Sequence, residues 1–324
     1  TVAPGKAGAN RAIQSFACGA NDKFYGMGAM VHGTQHRGEI IPTWTSEQGI
    51  GKVRRKFLSD QFPLKGDIHD SYFPIPFMMH SAGFGVLVRN SQRGLFNFCH
   101  KDNANRWALE TWTGTLKYLV LDGPALTTVL ERLTQETGRP RLMPKWAMAP
   151  WIDIIHGSAK VLAGAKTLRK EKIPSSAVWS EDWIGGENMS GGYHLKYQWT
   201  EDKTLYPDLK GLISTLHGMG FRFLGYFNQF IDVNYQHWKQ GENNGYLIKD
   251  KDGKVSNFVG VFGQKTSLPD FTSKAAADWY KAYARTALEM GQDGWMADYG
   301  EWLPVEARMS DGTGGWETHN LYPV

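Results

Sequence analysis

The sequence predicts an α/β chain in two parts, an N-terminal antiparallel β-sandwich followed by a parallel sheet covered by helices. Two patterns predict it. Over about the first 140 residues, short aromatic and β-branched runs are separated by Gly, Asn and Asp, as in antiparallel strands joined by turns. From Trp146 onward, apolar strand-like runs alternate with helical stretches, and alternating β and α units imply a parallel sheet with helices packed on it.

Taken in order, "KFYGMGAMVHG", "GFGVLVRN", "GLFNFCH" and "LKYLVLDG" read as strands of the sandwich. The segment "GPALTTVLERLTQETG" reads as a helix, with Leu126, Val129, Leu130 and Leu133 on one face and Gly138 as its stop. Pro140 and Pro144 mark a boundary, so residues 1–142 form the sandwich with a linking helix and residues 143–324 the α/β part. There "AMAPWIDII" leads into a helix around Ala159 to Glu171, and "SSAVWSED" precedes a helix around Tyr206 to Met219. "FRFLGYFNQF" comes next, then a helix from Ser273 to Met290, and "GWMAD" closes the series of four units.

Composition narrows the function classes. The chain has 324 residues, 41% hydrophobic and 21% charged, which is globular. Its net charge of +4, without a run of five like charges, gives no electrostatic reason to expect nucleic acid or a membrane surface. No apolar run has the length of a membrane-spanning helix, and "TVAPGKAGAN" has neither an initiator Met nor a signal-peptide core, so it reads as a processed or cut end. Cys18 and Cys99 lie apart, without metal-ligand spacing; they leave room for one bridge but not for a disulfide framework. The sequon Asn188-Met189-Ser190 suits a secreted or periplasmic protein, and is short enough to arise by chance. Aromatics are in excess, with 13 Trp, 13 Tyr and 16 Phe, which serve a core and also suit stacking on sugar rings. No cofactor, metal site, phosphate loop or Ser/His/Asp triad is indicated.

The acids fall into a pattern. Asp153, Glu181 with Asp182, Asp232, and Asp298 with Glu301 all sit at or just past the C-terminal end of a predicted strand, the face on which β/α barrels build active sites. Capping of the following helices is the plainer reading for any one of them. For the set, a carboxylate-lined pocket is the better one.

These residues carry a resemblance. "GWMADYGEWLP" resembles the nucleophile strand of glycoside hydrolase family 31, and more narrowly of its sulfoquinovosidase branch. In the same order, "FYGMG" and "PTWTSEQGIGK" resemble sandwich motifs of that branch, "VWSEDWIG" its second barrel strand, "LPDFTSKAAADWY" an Asp-Phe-Thr signature and "THNLYP" the helix after the nucleophile. The resemblance implies a sandwich followed by a (β/α)8 TIM-type barrel, of which this sequence supplies about four β/α units, and retaining cleavage of an α-glycoside. It makes Asp298 the nucleophile and Glu301 an orienting group. It places Glu181, Asp182 and Trp183 at the sugar-binding end of the pocket, with Glu47 on a loop reaching from the sandwich.

The sequence departs from that branch in two ways. Where sulfoquinovosidases hold the sulfonate with an Arg and, three residues on, a Trp, "GGYHLKYQW" places His194 and Tyr197. His156 and Glu181 likewise replace two Gln residues. His194 and Lys196 suit an anionic group, whereas His156 and Glu181 suit a neutral hexose, and both readings stay open. Secondly, the family's acid/base Asp lies on a later barrel strand, several tens of residues past the nucleophile, and the sequence given stops at residue 324. The expectation is a second polypeptide, from a split gene or a cleavage, that completes the barrel and supplies the acid; Asp182 is the alternative acid. A transglycosylase or an α-glucan lyase on the same scaffold, or a noncatalytic carbohydrate-binding relic, are the alternatives to hydrolysis.

Overall fold

The computed structural model describes residues 1, 8–46, 68–189, 192–260 and 263–324, so Glu47 lies outside the described residues. The chain forms two compact units. One comprises Thr1–Pro140 with Glu301–Glu306 and Gly314–Val324, the other Arg141–Gly300 with Ala307–Thr313.

The first unit holds β1 (Ala12–Ala17), β2 (Phe24–Gly28), β3 (Ile40–Thr43), β4 (Pro74–His80), β5 (Phe84–Val88), β6 (Gly94–Phe98), β7 (Arg106–Thr111) and β8 (Tyr118–Asp122), then helix α1 (Leu126–Thr137). Two antiparallel sheets, β1-β7-β6-β3 and β2-β4-β5-β8, form the expected sandwich. Strand periodicity explains the packing: Phe96 and Phe98 on β6 and Trp107 and Leu109 on β7 alternate inward, and meet Phe24, Met78 and Val86 of the opposite sheet. Val129 of α1 is buried beside Phe77 and Leu121. A disulfide joins Cys18, just past β1, to Cys99, just past β6. The late segment of the sequence belongs to this unit as well. Asn320 Nδ2 donates to the carbonyls of Thr43 (3.1 Å) and Ser91 (2.9 Å), and its Oδ1 accepts from the Thr45 N–H (2.9 Å).

The second unit begins with β9 (Trp151–Asp153), α2 (Ser158–Lys170) and β10 (Ala177–Trp179). A 3₁₀ turn (Glu181–Ile184) and the hairpin β11 (Gly186–Met189) and β12 (Gly192–Leu195) precede α3 (Leu209–Gly218) and β13 (Arg222–Asn228). After β14 (Ile231–Asp232), α4 (Gln236–Asn243), β15 (Phe258–Val259) and β16 (Lys265–Ser267) come α5 (Lys274–Glu289) and β17 (Gly294–Asp298). Strands β9, β10, β13 and β17 form the expected parallel sheet in the order β17-β13-β10-β9. Its helices start where side chains can cap them: Asp208 accepts from the Gly211 N–H (2.9 Å) at α3, and Ser273 from the Ala276 N–H (3.4 Å) at α5. α3 buries Leu209, Leu212, Ile213 and Leu216, one face of its 3.6-residue period.

The middle of this sheet is dry and its edges are not. All of β13 after Arg222 is buried. Gly225 on that strand leaves room for the Gln292 side chain, which an added Cβ would strike, and for the Trp183 indole, whose Nε1 would stand 3.0 Å from it. By contrast Met296 on β17 is 40% exposed and Trp151 on β9 is 43% exposed.

Candidate active site

Parallel pairing brings the strand ends together. Trp179 of β10 pairs with Asp153 of β9, and Asn228 of β13 pairs with Asp298 of β17. Asp153, the Glu181–Asp182 turn after β10, Asn228 and Asp298 therefore gather at the C-terminal ends of the sheet, the edge at which open and closed β/α sheets carry their ligands.

Asp298 is the best defined of the acids. Its Oδ2 accepts a hydrogen bond from the Tyr226 hydroxyl (2.7 Å), and its Oδ1 accepts from the backbone N–H of Tyr299 (3.1 Å). Tyr299 itself adopts φ +58°, a conformation rare for a bulky residue, and its ring stacks on Phe230 with 5.0 Å between centroids. Burial pushes the Asp298 carboxyl above the ordinary Asp range, and the bonds from Tyr226 and Tyr299 pull it back part of the way. Tyr226 is buried and linked onward to Asn228, whose Nδ2 lies 3.1 Å from its hydroxyl.

Asp182 is a different kind of acid. It is wholly enclosed, with Oδ2 accepting from the His156 N–H (2.7 Å) and the Tyr193 hydroxyl (2.7 Å), and Oδ1 accepting from the Tyr206 hydroxyl. Ser180 extends the network, donating to the Ile154 carbonyl (2.5 Å) and lying 3.0 Å from Tyr206. Its bonds tie the β9–α2 loop, β12 and the segment before α3 to one buried carboxyl whose oxygens are both hydrogen-bonded, the arrangement that makes burying such a group tolerable. His156, at φ +73°, is followed by Gly157 at φ +88°, so the loop makes a left-handed turn over the carboxylate.

The remaining expected residues are placed as follows. Glu181, partly buried, has its carboxyl pushed up to about 7 by burial first, and then by Asp153, Asp182 and Asp298. Asp153 is also raised, by burial and then by Asp182. The His156 ring lies edge-on to Tyr193 at 4.4 Å. Trp183 is fully buried and donates to the Tyr226 carbonyl (3.0 Å), so it shapes the site from beneath. His194, opposite Glu187 in the β11–β12 hairpin, lines a cleft of about 380 Å³ with Glu187, Tyr197, Asp232 and Tyr235. Tyr197 is 3% exposed, with its hydroxyl bonded to Tyr226 and Asn228. Glu301, partly buried, belongs to a segment of the first unit. Among the described residues, no group of three or more His, Cys, Asp or Glu has the geometry to hold a metal ion, and no helix is long and apolar enough to cross a membrane. Sequence reasoning passed over Tyr193, Tyr206, Tyr226 and Asn228; a polar residue at the mouth-side end of an otherwise apolar strand is the signal that could have found Asn228.

Residues 140–324 match the family described as "Glycosyl hydrolases family 31 TIM-barrel domain". The chain belongs to glycoside hydrolase family 31. It is 29% identical to the sulfoquinovosidase of Agrobacterium fabrum over 94% of this chain and 46% of that protein. It is 28% identical to the sulfoquinovosidase of Escherichia coli (97% and 47%), and 28% identical to the α-xylosidase XylQ of Lactiplantibacillus pentosus (96% and 38%). A family 31 sulfoquinovosidase from E. rectale, solved with an aza-sugar inhibitor, superposes with a TM-score of 0.89 at 27% identity, covering 97% of this chain and 48% of that one. The chain thus spans less than half the length of these family 31 relatives.

Proposed function

We propose that the protein contributes to a retaining α-glycosidase in which Asp298 is the nucleophile. The observation that carries this is the seating of Asp298 at the C-terminal end of a family 31 barrel strand, with one oxygen bound by a buried hydroxyl and the other by its neighbour's N–H. A carboxylate so held can attack the anomeric carbon. The Asp298 oxygen forms a bond to that carbon as the glycosidic C–O bond breaks, and the departing oxygen takes a proton from an acid. Water then attacks the glycosyl-aspartate, loses its proton to the same group, and frees Asp298 and a sugar of retained configuration.

The proton donor, which in such chemistry stands roughly 5 to 5.5 Å from the nucleophile, is proposed to come from barrel strands other than these four, in a longer chain or a second polypeptide. Support comes from the sheet's edges, where Trp151 and Met296 leave apolar surface for further strands to cover. Asp182 is less suited to the task, because three protein donors satisfy it.

The substrate is proposed to be a neutral α-glycoside. Burial and then Asp182 raise Asp153, and burial and then Asp153, Asp182 and Asp298 raise Glu181, and a site in which carboxyls oppose further negative charge in this way disfavours an anionic sugar. His156, Glu181, His194 and Tyr197 are the proposed sugar-facing or loop-shaping groups, with Asp182 and Trp183 holding the frame. Incubation of the complete protein with a mechanism-based α-fluoroglycoside, followed by peptide mass spectrometry, should find the adduct on Asp298. Labelling elsewhere, or none, defeats the assignment. Aryl α-glucoside and α-xyloside should be cleaved in preference to the α-sulfoquinovoside; the reverse order refutes the neutral-sugar reading.

A further inference from the structure

We propose that Tyr226 is a positioning residue for the nucleophile, and that Asn228 fixes the direction in which Tyr226 donates. The proposal rests on the reading of Asp298 given above. Tyr226 and Asn228 are two residues apart on β13, hence on the same face of the strand, and Asn228 pairs directly with Asp298. Both are buried, so water does not stand in for either partner.

The hydrogen bonds from Phe230 through Asn228 and Tyr226 to Asp298 share one consistent direction, with the Tyr197 hydroxyl as a further partner of Tyr226 and Asn228. The backbone N–H of Phe230 donates to Asn228 Oδ1 at 2.9 Å, which settles the orientation of the amide. Asn228 Nδ2, necessarily a donor, then faces the Tyr226 hydroxyl oxygen at 3.1 Å. With its oxygen accepting there, Tyr226 turns its proton to Asp298 Oδ2 at 2.7 Å. The Asn228 backbone is itself pinned, its carbonyl accepting from the Tyr280 hydroxyl at 2.5 Å. Burial pushes the Tyr226 phenol far above its ordinary range, with Tyr197 and Asp298 adding to the shift, so the group stays a neutral donor throughout.

Two consequences follow for the reaction. A hydroxyl donated to the ionised carboxylate stabilises that form against the burial that opposes it. It also occupies Oδ2, leaving Oδ1, which accepts the longer 3.1 Å bond from the Tyr299 N–H, as the oxygen presented for attack. The carboxylate is thereby rotationally fixed, with one oxygen in use and the other presented.

The test is Tyr226→Phe in the complete protein, which removes the hydroxyl and keeps the ring. Its kcat/KM should fall about 10- to 100-fold, the loss of one charge-assisted hydrogen bond, and the acidic limb of the pH profile should move to higher pH. Covalent labelling of Asp298 by the α-fluoroglycoside should slow in parallel. Asn228→Ala should move the acidic limb the same way by a smaller amount, and serves if Tyr226→Phe does not fold. An acidic limb and a labelling rate unchanged from wild type in a folded variant overturn the proposal while Asp298 remains the nucleophile. Absence of any Asp298 adduct in the wild-type protein would instead defeat the reading on which it rests.

Discussion

The two units solve the burial problem in opposite ways. In the first, two sheets turn alternate residues inward and close on each other, so Phe24, Phe96 and Phe98 are each at most 2% exposed. In the second, β13 and β17 are similarly apolar in sequence, yet β13 is buried along nearly its whole length while β17 leaves Met296 and Ala297 exposed. Chemistry of the residues does not separate these strands; the number of neighbours does. A sandwich can be complete with the strands it has, whereas a parallel sheet of four keeps apolar surface at its edges until others cover it. That second unit is also where the carboxyls with raised ionisation cost are collected, so the closed core and the proposed chemistry are divided between the two.

The sharpest test of this division is Asp298→Asn. Activity of the complete protein should fall on the order of 10⁴-fold or more, with the thermal midpoint unchanged or slightly raised, since a half-buried carboxyl whose ionisation burial opposes has been removed. A large loss of stability would mean that Asp298 is chiefly structural. The converse variant is Phe24→Ala, expected to cost about 3 to 5 kcal/mol of unfolding free energy and to be read by denaturant titration. A cost under about 1 kcal/mol would show that the sandwich core is not closed as described. Met296→Lys probes the open edge: in the complete protein it should destabilise by about 2 to 4 kcal/mol, and in a protein holding only these 324 residues it should be close to neutral. Equal effects in the two would remove the case for strands that cover β17.

The smallest effect concerns pH. Glu181 has its carboxyl raised to about 7 against 4.5 for the free group, so between those values the folded state holds a proton that the unfolded state has lost. Stability should therefore decline as pH rises from about 4.5 to about 7, and Glu181→Gln should flatten that decline. An unchanged slope in the variant would show that Glu181 does not hold that proton in the folded state.

Much of this was legible in the sequence because periodicity survives burial. The alternation after Trp146 located all four parallel strands, and the helix expected from Ser273 to Met290 is α5, Lys274–Glu289. The ribbon β14-β16-β15 and the hairpin β11–β12 were not foreseen; with strands of two to four residues and mixed polarity, they leave no periodic trace. In the site, Asp298 stood out through its motif, but Tyr226 lies within "FRFLGYFNQF", where a tyrosine reads as core. Only the pairing of Asn228 with Asp298 reveals what its hydroxyl meets. Asp182 and Trp183 were expected at the sugar, and the structure encloses both, because a strand-end position does not say which way a side chain finds its partners.

The Asn320 clasp has a consequence in time. Thr43, Thr45 and Ser91 are made early by the ribosome, but the side chain that satisfies their backbone groups emerges only after β17. The sandwich cannot reach its final hydrogen bonding during its own synthesis; it must wait, with those groups unpaired by Asn320, until β17 has been translated. A gene fragment ending near residue 140 would encode all eight strands described for this unit and still lack the piece that finishes it.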